Sequence, residues 1–379
     1  MTAAGFATGL AGATLAVAIL WDAFETILVP RRIGRRVRLT RYFYVLTWRA
    51  WRVLALRIGK PSRREAFLGF FGPLSLILLL VCWATGLILA FALLQVAAPG
   101  PSPTGTRHFL TLLYMSGETF FTLGFGDVTP ASGAGRLLSV LDAGMGFGFL
   151  GTVVGYLPTM YAAFAQREIE ISLLDARAGS PPTAAEFLGR LPAEGAAALS
   201  DELLRDWERW AAQLLETHIS YPQLAYYRSQ HGNQSWLGAL TSILDSSALI
   251  LAGLEALPAR QARLTFAMAR HALVDITQIF VTGGPPPAGD RLPSRSFEAL
   301  RRKLADHPAR LPEGADFEAR LALLRRMYEP YTLALAKHLV LELPPWIHAE
   351  PRKDNWQGGP WDKALAVAAA EEHRSDEHF

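Results

Sequence analysis

The segment SGETFFTLGFGDVTP, residues 116 to 130, sets Thr122-Leu123-Gly124-Phe125-Gly126 just ahead of Asp127. Gly124 and Gly126 open backbone angles that are closed to residues with a Cβ, so an extended chain there can turn successive carbonyls to one side. Four such ladders of oxygen around an axis replace the water shell of a dehydrated potassium ion. The chemistry is coordination of an ion in transit. No catalytic residue and no cofactor other than K+ as the permeant ion is expected, and the chain does not read as an enzyme.

Such a loop needs elements to hold it. The preceding residues, RHFLTLLYMSGETFF from 107 to 121, are too few to cross a bilayer but suit a re-entrant helix, whose carboxyl end carries partial negative charge suited to a cation. The chain is 51 % hydrophobic and 19 % charged, and its apolar excess lies in roughly the first 165 residues. No Lys, Arg, Asp or Glu occurs between Glu65 and Arg107, Leu137 to Gln166 carries only Asp142, and Met1 to Val29 carries only Asp22 and Glu25. These runs predict three membrane spans near 5 to 27, 68 to 96 and 135 to 164. The first lacks a basic n-region and a clear cleavage site, which favours a retained span over a signal peptide. The single cysteine, Cys82, falls inside a span and excludes an intrachain disulfide.

Residues 31 to 65 hold twelve basic side chains against Glu65 alone, which places them on the cytoplasmic side. The amino terminus is then outside, the glycine loop returns to the outside, and residues 167 to 379 are cytoplasmic; the expected location is the cell membrane. The arginines have a second reading beyond topology. On a helical wheel Arg38, Arg41, Arg49 and Arg52 share an arc opposite Phe43, Trp51, Leu54 and Ile58, as in a helix resting on anionic headgroups. A voltage sensor is not expected, because it needs arginines at every third position within a bundle of extra spans.

The segment SGETFFTLGFGDVTP, with its preceding helix and flanking spans, resembles the pore module of potassium channels, in particular the bacterial kind with two spans around one pore loop. The resemblance covers about residues 68 to 165. It implies that the hydroxyl and carbonyl of Thr122 and the carbonyls of Leu123, Gly124 and Phe125 are ion ligands and that Gly126 closes the outer end. It also implies that Glu118 and Asp127 support the filter as a carboxyl pair behind it, sharing a proton; the alternative for Glu118 is a helix-end acid facing a water pocket. Phe125 stands where many relatives have tyrosine, and Tyr114 and Met115 where many have two tryptophans. With one loop per chain, a homotetramer is expected.

The third span would then be the inner helix. It contains Gly146-x-Gly148-x-x-Gly151, a formal dinucleotide fingerprint that has no meaning inside a bilayer-length apolar run. Close packing through Gly144, Gly148, Gly151 and Gly155 is expected, with Gly146 and Pro158 as hinge candidates. Asp142 is either a cavity-facing charge or a structural partner behind the filter.

Beyond Gln166, helical periodicity at 199 to 219, 235 to 255, 258 to 280 and 314 to 341 alternates with Pro- and Gly-containing stretches, and strand alternation is scarce. A mostly α-helical cytoplasmic domain is expected, which excludes Rossmann-type and cyclic-nucleotide-binding β-roll domains. His271 and Asp275, one turn apart, read as part of a buried ion network near Arg263 and Arg270 rather than a metal site. His218, Tyr221, Tyr226, Tyr227, His231 and Asp245 surround an unusual HISYPQLAYYRSQH segment, and Trp207, Trp210 and Trp236 read as core. The end, EEHRSDEHF, reads as a disordered acidic tail.

The expected organisation is an all-α membrane protein: a transmembrane helix over 1–30, a basic interfacial segment over 31–66, a pore module over 67–166 and a helical cytoplasmic domain over 167–379. The expected function is a potassium-selective channel gated at the inner helix, with an unknown gating ligand and no nucleic-acid partner. The alternatives are a less selective cation channel and a membrane-anchored enzyme or receptor.

Overall fold

The computed structural model describes residues 3–361, apart from 28, 30–37, 99–107 and the single positions 232, 282, 286, 351, 358 and 360. Arginines 31 to 36 and the acidic end thus lie outside the described residues. All regular structure among the described residues is helical, as expected for an all-α membrane protein. Two compact units form: one holds Met1–Phe164 with Ile219–Tyr227, the other Ala165–His218 with Arg228–Phe379.

In the first unit the three long apolar helices are α1 (Ala3–Ile27), α4 (Phe71–Ala97) and α6 (Gly133–Ala178). Helices α1 and α4 run antiparallel and approach closely through small residues. A Cβ on Gly12 would stand 2.8 Å from the Ala90 carbonyl oxygen, and one on Gly86 only 2.4 Å from Ile19 Cδ1. Apolar helices in lipid gain little by hiding from water, so backbone approach of this kind is what joins them.

Between α1 and α4 come α2 (Leu39–Leu56) and the short α3 (Pro61–Gly69). The amino end of α2 has no cap of its own, and Asp22 of α1 supplies one. Its carboxylate, 4 % exposed, accepts the Thr40 amide at 3.1 and 3.2 Å, the Thr40 hydroxyl at 2.6 Å and the Trp83 indole N–H at 3.1 Å. A carboxylate is favoured at that position by the unsatisfied amides and partial positive charge of a helix start. Nearby, Glu25 accepts from Trp21 at 2.8 Å and pairs with Arg38 at 3.5 Å. The two acids of the first span are therefore joints between helices.

Helix α2 corrects one expectation. Phe43, Tyr44, Trp48 and Trp51 turn toward protein: Trp48 lies 4.8 Å from Phe71, and Trp51 stacks on Phe67 at 4.4 Å. The exposed large apolar residues are Leu39, Tyr42, Val45, Leu46, Val53, Leu54 and Leu56, and Arg49 lies among them. The helical wheel identifies two faces but cannot tell that aromatic partners wait on one of them.

The second unit contains α7 (Ala184–Gly189), α8 (Ala196–Ser220), α9 (Trp236–Gly253), α10 (Ala259–Phe280), α11 (Ser294–Lys303), α12 (Ala315–Arg326) and α13 (Glu329–Leu339). Thr183 caps α7 by accepting the Glu186 amide at 3.1 Å, and Ser235 caps α9 by accepting the Gly238 amide at 2.9 Å. Helix α9 is long and apolar enough to cross a membrane, yet 89 % of its apolar window is buried by its own unit, which makes it a core helix. The segment expected as one helix over 314 to 341 is two, because Pro330 cannot donate to the ladder and its ring crowds the preceding turn.

Candidate functional site

The re-entrant helix is α5 (Phe109–Phe120), which buries Leu112, Met115, Ser116, Glu118 and Phe120. Ser116 is its anchor. The Ser116 Oγ lies 2.9 Å from the Ile88 carbonyl of α4 and 2.7 Å from an Asp142 carboxylate oxygen of α6, so one hydroxyl joins the helix to both flanking spans. Higher up, the Gln95 amide donates to the Gly135 carbonyl at 2.9 Å and to Ser139 Oγ at 3.1 Å, closing the frame between α4 and α6.

At its carboxyl end α5 tightens and stops. The Phe121 amide donates to Gly117, that of Thr122 to Thr119 and that of Leu123 to Glu118, at 3.0, 3.0 and 2.8 Å. Beyond them residues 123 to 126 carry no regular structure, and Thr122, Gly124 and Gly126 have φ of 54°, 65° and 74°. The glycine conformations follow the sequence reading. Thr122 does not, since a positive φ in a β-branched residue is strained and only its surroundings can hold it there. Residues 122 to 127 are all exposed in the single chain, with Leu123 at 57 % and Phe125 at 67 %.

Behind this loop stand the two acids and Tyr114. Asp127 receives the Tyr114 hydroxyl at 3.3 Å, and Tyr114 stands beside Glu118 as well. One Glu118 carboxylate oxygen is buried without a hydrogen-bond partner in the single chain. Asp142 is 2 % exposed and bound to Ser116, which is the geometry of a structural partner rather than a cavity charge.

Gly146 of α6 packs directly against the end of α5. A Cβ there would lie 1.8 Å from the Phe120 carbonyl oxygen, so only glycine lets the inner helix meet the end of α5. Gly144, Gly148, Gly151 and Gly155 face open space in the single chain. Pro158 sits inside α6, and the helix continues through it to Ala178, well past the end of the expected span.

In the second unit, His271 and Asp275 form an ion pair at 3.3 Å with the histidine side chain 59 % exposed, so they lie on a surface and not in a buried network. A buried network exists elsewhere. Arg291 grips both oxygens of Asp245 at 2.9 and 2.7 Å, Tyr328 donates to Asp245 at 2.6 Å, and Arg325 holds Glu329 at 3.0 Å. His218 is fully buried, its Nδ1 2.8 Å from the Leu214 carbonyl, and Trp207, Trp210 and Trp236 are core residues. Tyr221, Tyr226 and Tyr227 belong to the first unit, and His218, His231 and Asp245 to the second. No group of three metal-ligating side chains occurs among the described residues. A cavity of about 410 Å³ is lined by Glu186, Arg190, Lys303, His348, Arg352 and Asp354 among others, and within it Arg190 pairs with Asp354 and Lys303 with Glu186.

A short helix and an exposed glycine-bearing loop thus lie between two helices long and apolar enough to cross a membrane. Residues 76–163 match the family model described as ion channel, so this stretch of the chain is similar to an ion channel. The match covers less than a quarter of the 379 residues. No curated protein and no solved structure matches the chain.

Proposed function

We propose that the chain forms a homotetrameric, potassium-selective channel of the cell membrane. In it the hydroxyl and carbonyl of Thr122 and the carbonyls of Leu123, Gly124 and Phe125 coordinate K+, and Gly126 closes the outer end. The observation that carries this reading is the loop itself. Non-helical backbone from 123 to 126, with left-handed angles at Thr122, Gly124 and Gly126, stands exposed at the end of a re-entrant helix. Irregular backbone at membrane depth is tolerated only against protein or a water-filled path. A fourfold ring of such loops meets both conditions. Glu118 and Asp127 then support the filter through Tyr114, and Asp142 through Ser116. The glycine stripe of α6 is left for the pore or a neighbouring copy, and Pro158 marks where that helix yields during gating.

In this reading the amino terminus lies outside and residues 167 to 379 are cytoplasmic. Arg49 and the apolar residues around it on α2 suit a leaflet rich in anionic headgroups. A less selective cation pore is the second reading, favoured by Phe125, whose ring is exposed and has no hydroxyl to tie the filter to its surround. Liposomes holding the purified protein between opposed potassium and sodium gradients separate the two. A reversal potential that follows potassium is expected, and one that follows sodium equally well rules out the selective form.

A further inference from the structure

Past Phe164, only Ile219–Tyr227 returns to the first unit, with chain of the second unit on either side of it. Helix α8 ends at Ser220, and Pro222 opens a tight helical turn over Pro222–Tyr226, where its fixed φ is an asset and its missing N–H costs nothing.

One side of this segment lies along α6. The Tyr221 ring meets Tyr156 edge-on at 5.4 Å, and the Tyr227 ring lies 5.6 Å from Phe164. Between them the Gln223 amide, 5 % exposed, donates to the Tyr156 hydroxyl and to Met160 Sδ at 3.5 Å. Tyr156, Met160 and Phe164 recur every fourth residue and so share one helix face. Pro158 falls between the first two. The weakest point of the helix ladder is therefore bridged from outside by a single buried side chain, with one contact before the proline and one after it.

The other side lies along α2 and α4. Tyr226 stacks on Tyr44 with centroids 5.8 Å apart and planes 3° from parallel, and it lies 4.9 Å from Trp48 and 5.1 Å from Phe71. The Tyr227 ring rests so closely on Gly72 that a Cβ there would come within 2.6 Å. Leu224, fully buried, packs with Leu76, Tyr156, Met160 and Phe164.

We propose that Ile219–Tyr227 is a strap that splints the inner helix across Pro158 and ties it to α4 and α2, so that α6 bends there only when the strap is displaced. Displacement is delivered along the chain, because α8 runs directly into the strap. This rests on the channel reading above and assigns its gating restraint to named residues. A loop that merely fills space would affect stability; a splint also sets how often the pore opens.

The test uses the full chain in liposomes on a Cys82→Ser background, which removes the sole native thiol. Met160→Cys with Gln223→Cys is compared with Gln223→Leu, and potassium flux is read alongside peptide mass after oxidation and after reduction. The intrachain disulfide is expected to form, and locking the strap is expected to move flux in the opposite direction from Gln223→Leu. Each change should be about tenfold, the equilibrium shift one buried hydrogen bond is worth, with the potassium-to-sodium ratio unchanged. In a conducting parent, a pair that does not cross-link, or flux that stays the same in either variant or moves the same way in both, overturns the strap alone. A parent that passes no cation sinks the channel reading and the gating role together.

Discussion

Gly146 has room for a hydrogen atom and nothing more, since the Phe120 carbonyl stands where a Cβ would go. Gly146→Ala must push α6 off the end of α5, and overpacking of this kind costs about 1 to 3 kcal/mol. We expect that variant to lower the melting temperature in detergent and to abolish potassium flux, while Gly148→Ala, which meets open space within the chain, folds with the parent's stability. At the same scale His218 offers a pH test. Burial holds its pKa down to about 3, so in the folded protein the ring stays neutral throughout the working range. The unfolded chain takes up a proton below about pH 6.5, so stability is full above that value and falls as the pH is lowered. From pH 7 to 5 the loss is about 2 kcal/mol for this one group, and His218→Phe should remove that part of the pH dependence of thermal unfolding. Thr122, Gly124 and Gly126 show how differently residues declare themselves. The glycines announce a left-handed backbone because no other residue adopts it freely, whereas a threonine held at positive φ leaves no trace in residue type.

At the scale of elements, the start of α2 depends on a carboxylate borrowed from α1. Asp22→Ala leaves the Thr40 amide and the Trp83 indole without their acceptor, and each orphaned buried donor costs about 1 to 3 kcal/mol. Faster tryptic cleavage at Arg41 in the variant is the expected signature; an unchanged rate would mean that α2 starts without the cap. The long apolar helices and the short helix before the glycine loop are legible directly, because bilayer thickness sets their lengths and the absence of charge marks their extents. The cap is not, since nothing local to Asp22 says that a helix start seventeen residues on will come to meet it. The same limit hides the protein-facing side of α2. Pro330 is a local signal, but the apolar period continues on both sides of it and masks its power to divide 314 to 341.

For the molecule as a whole, the exposed apolar side chains of α6, among them Val140, Phe147, Leu150 and Val154, together with the exposed loop, leave a single copy incomplete as a pore. Mass measurement of the detergent-solubilised particle should give four copies, and chemical cross-linking should yield a ladder that stops at the fourth rung. A stable monomer that still conducted would contradict the proposed ring of loops. The two-part division is visible as a change of composition near Gln166, but the course of the chain is not. Composition marks no helix end there, since α6 runs on to Ala178, and it cannot show that nine residues from deep in the second half belong with the first.

That return has a consequence for how the protein is made and how it can be cut. Leu224 completes a core whose other members were synthesised some sixty residues earlier or more, so the membrane part cannot finish folding as it leaves the translocation machinery. A chain truncated after the third span would contain every residue of the filter and still lack a piece of its own interior, and adding Ile219–Tyr227 back as a free peptide is the repair to try.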